Sequence, residues 1–192
     1  MSISPGQLNK GVVVQHYANG RWQHLWYIHS QFTAVGRVIY SRHANAAPGG
    51  EFIIRRCGVT LNMSLADDEY TYLITKIEDV NRNYIKLTAA AVSPVLLTGT
   101  QTRYVMGPMN RPQVVDDKIK PFEGVIAERY TGSVQEQPNI ELTTGLVLTT
   151  PKSIRLTAGS VIDDGETKYI VRYAHMHEKH YNEYEIDRKD DA

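Results

Sequence analysis

"YTYLITKIEDVNRNYIKLTAA", Tyr70 to Ala90, is written in twos. Ile85, Leu87 and Ala89 alternate with Tyr84, Lys86 and Thr88, so an extended chain carries the apolar set on one face and the polar set on the other. A helix would scatter the same residues around its axis. The polar run "EDVNRN" between two such segments supplies a turn, and the stretch reads as an antiparallel hairpin with one face buried.

Working outward, the same grammar continues. "VVVQHY" leads into Asn19-Gly20, a pair that tolerates the positive φ of a tight hairpin, and "WQHLWYIH" returns as its partner strand. "FTAVGRVIY", "FIIRR" and "VTLNMSL" add further strands, and helical periodicity is hard to find. "SRHANAAPGGE" is rich in small residues, Pro and Gly, which predicts a long flexible loop over 41–50. The expected fold class is all-β.

"GVVVQHYANG" at Gly11–Gly20 resembles "GVIAERYTGS" at Gly124–Ser133, an offset of 113. Tyr72-Leu73-Ile74 matches Tyr169-Ile170-Val171 at an offset of 97, and Ile85 and Leu87 match Tyr184 and Ile186 at an offset of 99. Ordered landmarks of this kind predict a tandem repeat. The stretch between the copies carries Pro94, Pro108 and Pro112, which argues against regular structure there. The expectation is two small β-barrel modules, 1–98 and 119–192, joined by a proline-containing linker or arm at 99–118.

Composition narrows the class. The chain has 192 residues, 42% hydrophobic and 22% charged, which suits two small globular modules rather than a disordered chain. Lys plus Arg equals Asp plus Glu at 21 each, so no net positive field holds the protein on nucleic acid or anionic lipid. The single cysteine, Cys57, excludes a disulfide scaffold. The start "MSISPGQLNK" lacks the pattern of a signal peptide, and no apolar run is long enough for a membrane span. A soluble protein made in the cytoplasm is expected.

The opening "LNKGVVVQ", the Trp-centred "WQHLWYIH", the mid-module loop before "FIIRR" and the closing "YTYLITKIEDVNRNYIKLTAA" together resemble the phage head–tail joining proteins, also called head-completion or stopper proteins. The resemblance covers about residues 8 to 92. It implies a small barrel in a homo-oligomeric ring in the virion neck, beneath a portal or adaptor protein, above a tail protein, and in transient contact with packaged DNA. Family members commonly have one module, so a double module leaves the ring's copy number and its station in the neck open.

Enzyme signatures are sparse. "AHMHEKHYNEYE" gathers His175, His177 and His180 with Glu178 and Glu183, yet the spacing fits no known zinc helix, and a polar solvated turn accounts for it. Cys57 lacks the basic surroundings that activate a thiol and reads as a packed small hydrophobe. "GTQTRYVMG" lacks the Lys-Ser/Thr ending of a phosphate loop. No catalytic residue, metal or cofactor is expected.

Arg37, Arg42, His43, Arg55 and Arg56 flank the 41–50 loop, and in a ring they would face the lumen or an adjacent subunit. Trp22, Trp26 and Tyr27 read as core or subunit interface ahead of a stacking surface for single strands. Two other roles stay open: a tail-terminator or tail-completion protein, and a small β-barrel nucleic-acid-binding module.

Overall fold

The computed structural model describes residues 5–41, 45–106, 111–136, 139–176 and 180–189. The chain divides into two units, 1–94 and 95–192, and each forms a closed six-stranded barrel. In the first, β1 (Lys10–Ala18), β2 (Arg21–Ile39), β3 (Ala46–Arg55), β4 (Met63–Ala66), β5 (Thr71–Asp79) and β6 (Tyr84–Val92) close in the order β1-β2-β3-β6-β5-β4. In the second, β7 (Val95–Met106), β8 (Pro112–Glu136), β9 (Asn139–Pro151), β10 (Val161–Asp163), β11 (Lys168–His175) and β12 (Tyr181–Arg188) close in the corresponding order β7-β8-β9-β12-β11-β10. All pairings are antiparallel. The all-β, double-barrel expectation therefore holds.

Register makes the repeat explicit. Ser64 pairs with Leu73 and Leu65 with Tyr72, while Val161 pairs with Ile170 and Ile162 with Tyr169, every number 97 higher. The ladder slips between Ile74 and Lys76 in β5 and at the matching point, between Val171 and Tyr173, in β11. A bulge bends the strand and sharpens its twist, and a small barrel needs that bend to close.

The cores match as well. In the first barrel Phe52 lies opposite Leu87 across the β3–β6 ladder, and in the second Leu148 lies opposite Tyr184 across β9–β12. All four are fully buried. Each barrel thus spends one aromatic and one leucine on the same pair of sites, with the larger side chain on opposite strands, which keeps core volume nearly constant. Burial of each such side chain stabilises its barrel by roughly 2–3 kcal/mol.

A second shared device closes the β4–β5 and β10–β11 turns. Asp67 Oδ1 accepts the amides of Glu69 and Tyr70 at 3.0 and 2.8 Å, and its Oδ2 accepts the Tyr72 hydroxyl at 3.0 Å. Asp164 does the same for Glu166, Thr167 and Tyr169 at 2.9, 2.7 and 3.0 Å. An aspartate fits because its short carboxylate reaches the backbone two and three residues on.

Four expectations require correction. Within the proposed linker, 99–118, residues 99–106 and 112–118 are paired strand, β7 against β8, and only Ser93 and Pro94 separate β6 from β7; residues 107–110 lie outside the described residues. Pro121 falls where the β7–β8 register slips, between the pairs Leu97–Phe122 and Gly99–Ile119, a place where a missing amide costs no ladder bond. The 41–50 loop is shorter than expected, because β3 begins at Ala46 and Pro48, Gly49 and Gly50 pair with β2; residues 42–44 lie outside the described residues. Lastly, Gly11–Gly20 does not correspond to Gly124–Ser133. The counterpart of β1 is β7, since Val14 faces Leu65 as Gly99 faces Ile162. The offset at β6 and β12 is 97 rather than 99, since Ile74 pairs with Ala89 as Val171 pairs with Ile186.

Candidate functional site

Of the sequence-predicted basic residues that are described, Arg55 and Arg56 lie together and Arg37 lies apart. Arg37 sits in β2 opposite Pro48, exposed, with its guanidinium donating to the Ala46 carbonyl at 2.8 Å. Arg55 ends β3 seven residues further on, a rise of about 23 Å along the strand. Arg56 is a clip for the β5–β6 turn, donating to Asp79 Oδ1 at 2.6 Å and to the carbonyls of Arg82 and Asn81 at 3.3 and 3.4 Å. Arg42 and His43 lie outside the described residues.

Arg55 organises a trough at its end of the first barrel. One cavity of about 560 Å³ is lined by Arg55, Arg56, Arg82, Asn83 and Tyr84. A second, of about 420 Å³, is lined by Leu8, Tyr27, Ile28, His29, Arg55 and Cys57. Arg55 belongs to both, so a cationic half adjoins an apolar and aromatic half. Tyr27 is 57% exposed, and its ring meets His29 edge to face at 5.2 Å. Trp26 turns inward, where it packs against the core, and its side chain hydrogen-bonds to Cys57. Burial pushes the Cys57 thiol up, against the hydrogen bonds from Val59 and Trp26, which leaves it protonated near neutrality.

The histidine stretch falls at the β11–β12 turn, as expected. His175 ends β11 and its Nε2 lies 3.1 Å from Glu185 Oε1. Glu183 is buried in β12, and His177 and Glu178 lie outside the described residues. Among the described residues no three His, Cys, Asp or Glu side chains are grouped to hold a metal. None of their helices is long and apolar enough to cross a membrane.

No family model, curated protein or solved structure matches this chain. What the chain can do chemically therefore rests on its own geometry. The described surface offers charge, open strand edges and one histidine–carboxylate contact, His175 with Glu185.

Two features were missed by sequence reasoning. Lys118, Lys120 and Lys168 line a cavity of about 560 Å³ beside Pro121, with Asp163 among them. The alternation of Lys118 and Lys120 was visible, but Lys168 reaches the same place only through the β10–β11 hairpin. The overall neutrality also conceals a division. Residues 1–94 hold nine Lys or Arg against six Asp or Glu, a balance of +3, and residues 95–192 hold twelve against fifteen, a balance of −3.

Proposed function

We propose that this chain is a structural virion protein: a subunit of a phage neck ring that joins the capsid portal to the tail and helps to retain packaged DNA. It performs no reaction. Portal or adaptor protein lies above it and tail protein below.

The observation that carries the reading is how far the strands of the second barrel outrun their neighbours. β10 covers β7 only at Thr98–Thr100, yet β7 and β8 stay paired out to Met106 and Pro112. β12 covers β9 only from Leu146 to Pro151, yet β8 and β9 stay paired out to Glu136 and Asn139. A two-stranded ribbon is marginal by itself in water and presents unpaired backbone along its sides. Such ribbons suit a protein whose neighbours complete it, as in a cyclic ring with heterologous contacts.

Electron microscopy of particles made without this gene tests the reading. Filled or leaking heads separate from finished tails are expected, and tailed particles that keep their DNA would overturn it. Tails of abnormal length would point instead to a tail-terminator or tail-completion role.

The Arg55 trough, with Tyr27 and His29 beside it, favours one further reading, a nucleic-acid-binding module. Salt-sensitive binding of the purified protein to short DNA, lost in Arg55→Ala, would support that reading.

A further inference from the structure

The two barrels treat the same kind of strand edge in opposite ways. From Arg21 to His29, β2 has β1 on one side and, among the described residues, no strand on the other, since β3 joins only from Ser30 onward. The counterpart edge in the second barrel, Pro112 to Lys120 of β8, contains a proline and the charged residues Asp116, Asp117, Lys118 and Lys120, with Pro121 next to it. Prolines and charges on an edge prevent another chain from adding to it. The β2 edge has no Pro, Lys, Asp or Glu, its one formal charge is Arg21 at the hairpin end, and it exposes Leu25 and Tyr27.

The β7–β8 ribbon is guarded on one side only. Its other side, Gln101 to Met106 of β7, is also without Pro, Lys, Asp or Glu and has a single charge, Arg103, in its sequence, and Met106 is 68% exposed. We propose that this open β7 edge in one copy of the chain adds as a strand to the open β2 edge of the next copy. This rests on the reading of the chain as a ring subunit and names the contact that builds the ring.

Three observations favour a second copy as the occupant. The amides and carbonyls of an edge, left to water in a lone chain, pair directly with those of another edge, and each barrel supplies an edge without Pro, Lys, Asp or Glu. Balances of +3 and −3 make first barrel against second barrel attractive and like against like repulsive. Room exists too: the 420 Å³ cavity runs beside Tyr27, Ile28 and His29, with Arg55 and Cys57 among its other lining residues. Because the two edges lie on different barrels, the contact is head-to-tail and leaves a free edge of each kind at the ends of any open chain of subunits.

The test uses the full chain in sedimentation velocity over a range of concentrations. Leu25→Lys with Tyr27→Lys blocks one edge, and Thr102→Lys with Met106→Lys blocks the other. All four positions are exposed and the change at Thr102 gives up one exposed hydrogen bond, to Asp116 Oδ1, so thermal unfolding should stay close to the parent's and certify both folds. The parent should self-associate, and each variant alone should do so at least ~tenfold more weakly. An equimolar mixture of the two variants should form pairs and stop there, since each supplies the edge the other lacks. A parent that stays monomeric, a variant that assembles like the parent, or a mixture that stays monomeric overturns the contact. Rings that persist in both variants would remove this contact and leave the neck assignment intact, whereas tailed, filled particles without the gene would remove the assignment whatever the association.

Discussion

Lys10 Nζ lies 2.7 Å from Asp67 Oδ2 and 4.1 Å above the centroid of the Phe32 ring. The ammonium is thus held between a carboxylate and an aromatic face, and the carboxylate is the one that ties the β4–β5 turn to Tyr72. In the second barrel the counterparts of Lys10 and Phe32 are Val95 and Ile126, by the registers Val95–Gly124 and Ile126–Leu148. The Asp164–Tyr169 clip remains there without a counterpart of Lys10, and the cation beside it is Arg188, opposite Tyr169 in the β11–β12 ladder.

Burial raises the Asp67 pKa, but the Lys10 ammonium, the Tyr70 and Glu69 amides and the Tyr72 hydroxyl outweigh it and hold the group at about 2, against 3.8 ordinarily. A depressed carboxylate stabilises the fold above its unfolded pKa, and that contribution is lost as pH falls from 3.8 through about 2. Lys10→Met should flatten the acid limb of the first barrel's stability in that window. Asp67→Asn should cost roughly 1–3 kcal/mol at neutral pH, and more than Asp164→Asn, measured by urea unfolding.

Phe52→Ala should destabilise the first barrel by about 3–5 kcal/mol, through a cavity that the surrounding strands cannot refill. Phe52→Leu combined with Leu87→Tyr copies the arrangement of the second barrel. That double variant should be more stable than the sum of its single changes, with a coupling of about 0.5–3 kcal/mol in a double-mutant cycle.

Tyr184 uses its hydroxyl twice, donating to the Ile154 carbonyl at 2.9 Å and accepting the Leu156 amide at 3.1 Å. Tyr184→Phe should therefore cost about 1–3 kcal/mol while leaving the packing of the ring unchanged, which thermal unfolding would report.

A Cβ on Gly99 would meet the Val161 carbonyl oxygen at 2.2 Å, and that oxygen belongs to the backbone of the paired strand. Gly99→Ala should force β7 from β10 and cost about 1–3 kcal/mol, whereas Gly36→Ala, with open space around it, should change the melting temperature little.

Cys57→Ser and His175→Ala should leave particle yield near that of the parent. The thiol is held protonated by burial, and His175 is engaged with a surface carboxylate. A hydrolytic or metal-dependent activity lost in either variant would contradict a purely structural role.

Much of the fold was legible because alternation is a direct signal of a strand with one buried face. Tyr72 and Tyr169 were correctly matched for that reason. The same alternation hid the register of the last strand, since moving Ile85 and Leu87 by two residues leaves the apolar face unchanged and only a bulge or a turn length reveals the slip. The opening phrase misled because Gly124 begins the second half of a long strand that changes partners there, from β7 to β9. The prolines suggested a linker because a proline is read as a break, and sequence does not tell a break from a bulge at a strand edge. Arg37 and Arg55 were close in sequence but not in space, for a long strand carries its two ends more than 20 Å apart, by the rise of about 3.3 Å per residue.

From Met63 to Val92 and from Ser160 to Lys189 the two halves keep step without a residue gained or lost. Such segments match in length and register but not in core content: a graft would set Tyr184 against Phe52, or Leu87 against Leu148, so the facing strand would have to change with it. The three-strand cassette is thus the fixed part of each barrel. The variable work of each half, its long ribbons and its open or guarded edges, is confined to the three strands that precede it.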